Sequence, residues 1–413
     1  MKHSMIRTWV LLLAVSFTAA RAKELPEVKP SEVGMSGGKL AKVDAAVNGL
    51  IAKKGLAGAI VMVARHGKVV LRKSYGQMDI EARKAMRDDA IVRIYSMSKA
   101  ITSVAALMLH DDGKLDIDAP VSRYIPELKG LKVYRKEGHL KPRREMTVRD
   151  LLRHTSGLTY GIFGNTPVDR MYRKANVLDR NSSLAAMCRK LGGIPLAYEP
   201  GKQWRYSVST DVLGRVVEVV SKKPLDEFFA ERIFKPLDMK DTAFHVPDGK
   251  LDRFAANYAS NGRGKLTLRD APARSRYRKP PAQLSGGGGL VSTARDYMRF
   301  LVMIANGGRL HGVRLLKAET VKLMTTNQLP EGVSLGANRA GVGFGLGLSV
   351  RVRAGLRKGL GKVGECGWGG AASTHFWISP ADGLAVVTLE QTMPYSPLVE
   401  LAVKGIVYDA IEK

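Results

Sequence analysis

Two strand–turn–strand patterns, one near each end of the chain, most constrain the fold. Residues 59–65 and 68–75 are largely apolar segments joined by His66-Gly67, and residues 375–379 and 384–391 flank a Pro-Ala-Asp-Gly turn. A short turn between consecutive strands produces antiparallel pairing, whereas parallel strands need a long crossover connection. The chain therefore predicts an antiparallel sheet that is assembled from both of its ends.

Helical patterns occupy the middle and both ends of the chain, at residues 40–52, 147–154, 211–221, 225–234 and 397–411. Pro236 is expected to end the fourth of these helices. We predict an α/β fold of the α+β type, in which the antiparallel sheet is flanked by the N- and C-terminal helices and a helical domain is inserted. The sheet domain comprises residues 23–95 and 281–413, the mainly helical domain comprises residues 96–280, and the active site lies between them.

Two segments after residue 260 show no regular period. Residues 262–281 are basic and contain prolines, which predicts a loop near the entrance of the site. Residues 285–289, Ser-Gly-Gly-Gly-Gly, lack the Gly-Lys-[Ser/Thr] ending of a phosphate-binding loop. Their glycines predict close packing against neighbouring backbone instead.

The first 22 residues have the pattern of a secretory signal. Lys2 and Arg7 precede an apolar run at residues 9–20, and Ala20-Arg21-Ala22 matches a cleavage site. We expect cleavage after Ala22 and a periplasmic or secreted protein. The apolar run is too short to span a bilayer, so no stable membrane insertion is expected after the signal is removed.

The charge and the cysteines limit the partners of the chain. The formal net charge is +28, but the 66 Lys and Arg residues are scattered along the whole sequence and form no nucleic-acid-binding motif. We expect no nucleic-acid partner and a basic surface suited to contact with anionic polymers of the cell envelope.

Cys188 and Cys366 allow at most one disulfide. The eight histidines lack the spacing of metal ligands, so we expect no metal and no cofactor.

A nucleophile and an amine lie one helical turn apart at Ser96 and Lys99. The apolar residues 101–109 that follow predict a helix that ends at Gly113. Residues three apart share a helix face, and the helix N-terminus offers unpaired N–H groups to a developing negative charge. Because a serine hydroxyl needs such help to act as a nucleophile, the pattern indicates acyl transfer through Ser96.

Ser-x-x-Lys occurs a second time, at Ser36 and Lys39. Ser36 also fits Gly-x-Ser-x-Gly, but that elbow needs a preceding strand, and residues 23–33 are charged and contain two prolines. We therefore predict that Ser36 caps the amphipathic helix at residues 40–52.

The candidate base is Tyr206, because no Ser-His-Asp order is evident. A phenol with a pKa near ~10 is a poor base at neutral pH, and a neighbouring ammonium lowers that pKa. Lys99 can supply the charge, and the two groups would then titrate as a unit. Taken alone, the segment around Tyr206 also fits a buried aromatic residue with a satisfied hydroxyl.

With these residues the chain resembles the serine β-lactamase and penicillin-binding-protein superfamily, and within it the class C-like esterases. The resemblance runs from about Val33 to the C-terminus through motifs that contain Ser96 and Lys99, residues 147–158, Tyr206, residues 285–292 and Trp368-Gly369-Gly370. It implies that His154, within the second motif, supports the local structure.

The resemblance also implies the roles of the third motif. This motif is a strand beside the nucleophile, often Lys-Thr-Gly or His-x-Gly, and here Trp368-Gly369-Gly370 occupies its position. Glycines let such a strand approach a substrate closely. The backbone N–H groups of Ser96 and Ala371 would form the oxyanion hole.

Two departures from the family pattern indicate the substrate. Penicillin-recognising members usually have Asn two residues after the tyrosine and a polar or cationic residue opening the third motif, whereas this chain has Val208 and Trp368. Both departures favour an apolar ester over a β-lactam, with Val208, Trp368, Gly369 and Gly370 contacting the substrate. The sequence thus predicts an exported carboxylesterase. The alternatives are a β-lactamase or D-amino-acid peptidase, and a non-catalytic protein that binds anionic envelope polymers.

Overall fold

The computed structural model describes residues 24–53, 55–261, 264–354 and 361–412. The predicted signal and its cleavage site after Ala22 lie outside the described residues. Within the described part of the chain, no helix is long and apolar enough to cross a membrane.

One large sheet joins the two ends of the chain. The described strands are β1 Gly58–Arg65, β2 Lys68–Asp79, β3 Lys84–Ala85, β4 Val92–Arg93, β5 Asn257–Ser260, β6 Leu266–Asp270, β7 Val291–Ser292, β8 Arg309–Leu310, β9 Val313–Arg314, β10 Val342–Phe344, β11 Ser349–Arg351, β12 Cys366–Gly369, β13 His375–Ser379, β14 Leu384–Glu390 and β15 Thr392–Met393. Eight of them form the large sheet in the order β10-β11-β12-β13-β14-β1-β2-β3, and every neighbouring pair is antiparallel. The antiparallel sheet predicted from the two hairpins is confirmed.

The two hairpins meet at β1 and β14. Ala59 pairs with Glu390 and Arg65 with Leu384, so the first hairpin adds directly to the last. Successive β1 side chains enter different cores: Ile60 packs in the main core and Val61 in a second, smaller one. This explains why β1 is apolar on both faces.

Helices cover both faces of the sheet. The described α-helices are α1 Gly37–Leu40, α2 Lys42–Ala52, α3 Ser98–Asp111, α4 Val148–Leu152, α5 Pro167–Lys174, α6 Leu184–Gly192, α7 Ser209–Ser221, α8 Leu225–Phe229, α9 Lys235–Leu237, α10 Ala294–Ala305, α11 Ala318–Thr325 and α12 Leu398–Asp409. The terminal helices α2 and α12 form the smaller core with one face of the sheet, while α3, α7 and α10 contribute to the main core on the other face. The mixed fold with terminal helices on the sheet is confirmed.

Two local predictions were wrong. The helical backbone does not stop at Pro236: a π-helical turn at Ala230–Phe234 leads into α9, and the chain leaves the helix only at Asp238, which has a φ of 55°. Proline is tolerated there because it lies in the first turn of α9, where no intrahelical N–H is needed.

The segment 262–281 is not wholly a loop. Leu266–Asp270 forms β6, which pairs with β5, and β5 in turn pairs with β15 from near the C-terminus. The partner of β6 lies close in the chain, but β5 is held in turn by β15, more than 100 residues away, and that pairing leaves no local signal. Cys188 and Cys366 are both buried free thiols, so they form no bridge.

Candidate active site

Ser96 lies in a short 3₁₀ turn, Tyr95–Met97, that leads into α3. Tyr95, immediately before it, has a φ of 40°, which is a strained conformation for a side-chain-bearing residue. The Tyr297 hydroxyl donates a hydrogen bond to the Met97 carbonyl at 2.9 Å, and the Met97 N–H donates to the Ile94 carbonyl at 3.0 Å. Strain held by its surroundings in this way is characteristic of functional sites.

Lys99 is 1% exposed and is held mainly by neutral groups. Its Nζ donates to the Gly287 carbonyl at 2.6 Å and to the Tyr160 hydroxyl at 3.1 Å. Burial alone lowers the pKa of Lys99, but the facing phenols of Tyr160 and Tyr206 and the Asp211 carboxylate raise it above its ordinary value. The site therefore contains a fixed cation.

The glycine run supplies one of these contacts. A Cβ on Gly287 would lie 2.5 Å from Asp211 Oδ2, and a Cβ on Gly286 would lie 2.9 Å from the Thr210 carbonyl. The run therefore packs closely against the start of α7, as the sequence predicted, and this brings the Gly287 carbonyl to Lys99.

Tyr206 precedes α7 and contacts Ser96 directly. Its hydroxyl and the Ser96 Oγ are 2.6 Å apart and hydrogen-bonded. Lys99 Nζ lies 4.6 Å from the centroid of the Tyr206 ring. The fold thus brings Ser96, Lys99 and Tyr206 into one cluster, although Tyr206 is 110 residues from Ser96 in the chain.

His154 lies behind this cluster. Its ring centroid is 5.1 Å from that of Tyr206, and its Nδ1 is 3.2 Å from the Ser207 hydroxyl. Burial and the nearby Lys99 charge lower its pKa well below the ordinary value, so the ring is neutral. The structure shows no contact between His154 and Ser96, which suits a supporting position.

The third motif lies against the segment that carries the nucleophile. Trp368 and Gly369 end β12, and a Cβ on Gly370 would collide with the Ile94 carbonyl. Among the described residues, no acceptor receives a hydrogen bond from the backbone N–H of Ser96 or of Ala371. Both donors are therefore available to an oxyanion.

Aromatic side chains surround Tyr206. The ring centroids within 5.3–6.4 Å of its own belong to Tyr160, Phe163, Trp204 and Trp368. Phe344 packs against Trp368 at 5.3 Å, and Phe163 is 71% exposed at the rim. These residues form an apolar wall around Tyr206, whose hydroxyl is hydrogen-bonded to Ser96.

Val208 does not occupy its predicted place. Its side chain is 0% exposed and packs in the main hydrophobic core, so it offers no surface to a substrate. It precedes α7 as the N-terminal flanking residue, and that position directs the side chain inward. The prediction that Val208 contacts the substrate is therefore wrong, whereas Trp368 is partly exposed beside Tyr206.

Sequence reasoning missed Tyr160, the Gly287 carbonyl and Arg339. Tyr160 follows the second motif, but nothing in its local pattern separates it from a core aromatic. Arg339 lies with its guanidinium carbon 5.2 Å from the centroid of Trp368 and 5.8 Å from that of Trp204. A backbone carbonyl and an arginine in a loop carry no recognisable motif.

The similarity to known proteins extends over most of the chain. The beta-lactamase family model matches residues 43–405. Protein Rv1367c of Mycobacterium tuberculosis is 35% identical over 354 residues, which cover 82% of this chain and 86% of that protein. Esterase EstB of Burkholderia gladioli is 32% identical over 371 residues, which cover 85% of this chain and 90% of the esterase.

The chain is also similar to a solved structure. The structure of EstCE1, a hydrolase with promiscuous acyltransferase activity, superposes on this chain with a TM-score of 0.79 at 27% sequence identity. The superposition covers 90% of this chain and 99% of the EstCE1 chain. With the fold, the matched family and the Ser96 cluster in agreement, the chain belongs to the β-lactamase family of serine hydrolases.

Proposed function

We propose that this protein is a carboxylesterase that forms an acyl-enzyme at Ser96. The observation that carries the proposal is the 2.6 Å hydrogen bond between Ser96 Oγ and Tyr206, with the buried Lys99 ammonium beside the Tyr206 ring. A nucleophile joined to a base that is itself held by a third group is the arrangement required for covalent catalysis.

The chemistry follows from these contacts. Ser96 Oγ attacks the ester carbonyl and its proton passes to the Tyr206–Lys99 pair, while the N–H groups of Ser96 and Ala371 bind the carbonyl oxygen. The pair then returns that proton to the leaving alcohol as the carbonyl–oxygen bond breaks. Water attacks the acyl-enzyme by the same route in reverse and releases the acid and free Ser96.

The surroundings of Ser96 favour an apolar acyl group. Trp368 stands where other family members place a polar or cationic residue, and the neighbouring rings form an apolar wall. Packing against aromatic faces favours an alkyl ester, while a charged or amide group would lose hydration there. The similarity to esterase EstB supports ester hydrolysis.

Substrate profiling of the purified protein tests this proposal. We expect turnover of p-nitrophenyl esters of short acyl chains, little turnover of nitrocefin or D-alanyl peptides, and labelling of Ser96 by a fluorophosphonate. The Ser96→Ala variant should lose both turnover and labelling while it keeps its circular dichroism spectrum. Preference for nitrocefin or D-alanyl peptides over every ester would identify a β-lactamase or peptidase, and inactivity on all three classes would favour a binding protein.

Export is a separate part of the proposal. Lys2, Arg7, the apolar run and Ala20-Arg21-Ala22 support secretion with cleavage after Ala22. N-terminal sequencing of protein recovered from the periplasm or medium tests it, because a mature chain that begins at Lys23 is expected. Full-length protein found only in the cytoplasm would contradict it.

A further inference from the structure

Arg339 places a positive charge beside the apolar wall of the site. It ends a 3₁₀ turn, Ala337–Arg339, and its guanidinium carbon lies 5.2 Å from the centroid of Trp368 and 5.8 Å from that of Trp204. These two rings lie 5.5 and 6.4 Å from Tyr206, which is bonded to Ser96. One layer of rings therefore separates the cation from the reaction centre.

The charge of Arg339 is not neutralised by the protein. Within the described ranges, no aspartate or glutamate forms an ion pair with it and no acceptor receives the N–H groups of its guanidinium, and its side chain is exposed. Arg205, next to Trp204 in the chain, is by contrast paired with Asp169 at 2.8 Å. Arg339 differs from Arg205 in that only aromatic rings hold it.

The contacts with the two rings leave the binding groups of Arg339 free. A guanidinium carries five N–H donors in its own plane, and an aromatic face attracts its charge without accepting those hydrogen bonds. Trp204 and Trp368 therefore hold the cation in place without using its donors. Such a cation is pre-organised for a carboxylate, which it can bind through two parallel hydrogen bonds.

A cavity adjoins Arg339 and has room for such a group. Its volume is about 310 Å³, and Arg339 and Arg353 line it together with Asn327 and Ser334. No acidic side chain is among its described lining residues. Two cations without an acid in the lining favour an anion as its occupant.

We propose that Arg339 determines substrate specificity by binding a carboxylate at the far end of the acyl chain. The substrate class would then be half-esters of dicarboxylic acids, whose methylene chain packs on the aromatic wall while the terminal carboxylate reaches Arg339. This inference rests on the proposed esterase function. A purely structural role, in which Arg339 only keeps Trp204 and Trp368 in place, is the competing explanation.

Two esters of equal length separate these explanations. The p-nitrophenyl half-ester of adipic acid carries the terminal carboxylate, and its methyl-capped counterpart is neutral, with p-nitrophenol release as the common readout. We expect a higher kcat/KM for the anionic ester in the wild type. Arg339→Gln should lower kcat/KM for that ester about five- to ten-fold, the scale of an exposed charge-assisted contact, chiefly through KM. The neutral ester should be unaffected.

Variants and salt supply the controls. Arg339→Lys should keep part of the preference because it keeps the charge, and added NaCl should weaken the preference by screening. Arg189→Gln removes an exposed charge from α6, which does not line the cavity, and should change nothing. Equal losses on both esters in Arg339→Gln would overturn the proposal in favour of the structural role, and so would a wild type without preference for the anionic ester.

A binding experiment tests the inference even if esters are not turned over. Adipate is titrated onto the Ser96→Ala protein and followed by tryptophan fluorescence, because Trp204 and Trp368 contact Arg339. Adding Arg339→Gln to this protein should weaken adipate binding about five- to ten-fold. Unchanged affinity would overturn the role of Arg339, whereas failure of the esterase proposal would appear as the absence of Ser96-dependent turnover.

Discussion

Two buried lysines in this fold hold their charge in different ways. Lys404 on α12 donates to Glu365 at 2.8 Å and to Glu400 at 2.9 Å, whereas Lys99 on α3 donates to a carbonyl and a phenol. Both ammonium groups also lie over an aromatic ring, Trp377 for Lys404 at 4.7 Å and Tyr206 for Lys99 at 4.6 Å. The difference is therefore the presence or absence of carboxylates in direct contact.

The groups that contact each lysine determine what its charge can do. For Lys404, burial lowers the pKa and the two carboxylates raise it above the ordinary value, so the ammonium is balanced within the core behind the sheet. The Lys99 charge has no carboxylate in hydrogen-bond contact and faces Tyr206, whose hydroxyl is hydrogen-bonded to Ser96. A charge without a contacting counterion remains available to stabilise a phenolate, while a paired charge stabilises the fold.

The largest predicted effect is the loss of catalysis in variants of Lys99 and Tyr206. Lys99→Met and Tyr206→Phe should each lower kcat by about 10²-fold or more, the usual scale for loss of a general acid–base group. Because the two residues act as one unit, the double variant should be little worse than either single variant. Steady-state kinetics on a p-nitrophenyl ester give these values.

Stability supplies the control for those variants. Lys99→Met should change the free energy of unfolding by only about 1 kcal/mol, since it removes hydrogen bonds to neutral partners. A double variant whose loss equals the product of the two single losses would show that the two groups work independently.

For Lys404 variants the expected effect is on the stability of the folded protein. Lys404→Met leaves Glu365 and Glu400 without their cation and should lower the free energy of unfolding by about 3 kcal/mol. The value of kcat should not change, because α12 packs on the opposite face of the sheet. Urea unfolding measures the loss, and replacing both glutamates by glutamine in the Lys404→Met background should restore part of it. A loss of kcat at full stability would contradict the distinction between the two lysines.

A smaller effect compares the buried histidines of the two regions. Burial lowers the pKa of His154 beside Tyr206 and of His375 beside Glu400. The unfolded chain binds their protons below about pH 6.5 and the folded chain does not, so each histidine costs stability as the pH falls through that value. Asp296, whose pKa burial raises to about 6, acts in the opposite sense, because its penalty on stability disappears as the pH falls.

The contribution of each histidine is therefore measured as a difference in the free energy of unfolding between the wild type and a variant. The free energy of unfolding of wild type minus that of His154→Gln, or of His375→Gln, should decrease between about pH 7.5 and about pH 5.5. A difference that stays constant or grows over this interval would show that the folded histidine is charged.

The smallest effect concerns the two Ser-x-x-Lys sequences. The Ser36 hydroxyl accepts a hydrogen bond from the Lys39 N–H at 3.4 Å and caps α1. The predicted helix at residues 40–52 instead begins at Lys42 as α2 and has no side-chain cap. Ser36→Ala should lower the free energy of unfolding by about 0.5–1 kcal/mol. Its esterase activity and fluorophosphonate labelling should equal those of the wild type, and a loss of labelling would transfer the nucleophile from Ser96 to Ser36.

Features with a local cause were predictable from the sequence. The strands β1, β2, β13 and β14 and the helices α3 and α12 agree with their predicted segments to within a few residues, because turns and hydrophobic periodicity act over short distances. The wrong predictions share another cause. The strand β6 depends on β5 and β15, and the burial of Val208 depends on how α7 packs in the core.

The candidate site also combines features that the local sequence predicts with features that depend on tertiary contacts. Ser96 and Lys99 lie on one helical turn, so their proximity follows from the sequence alone, and the family motifs identified Tyr206. The partners of Lys99 come from 61 and 188 residues away, and Arg339 reaches the aromatic wall from a separate loop. The sequence determined that Ser96 and Lys99 lie together at the start of α3, because that depends on neighbouring residues. Only the tertiary structure decided that Lys99 lacks a contacting carboxylate and that a cation lies beside Trp368, because both depend on segments that meet only in the folded chain.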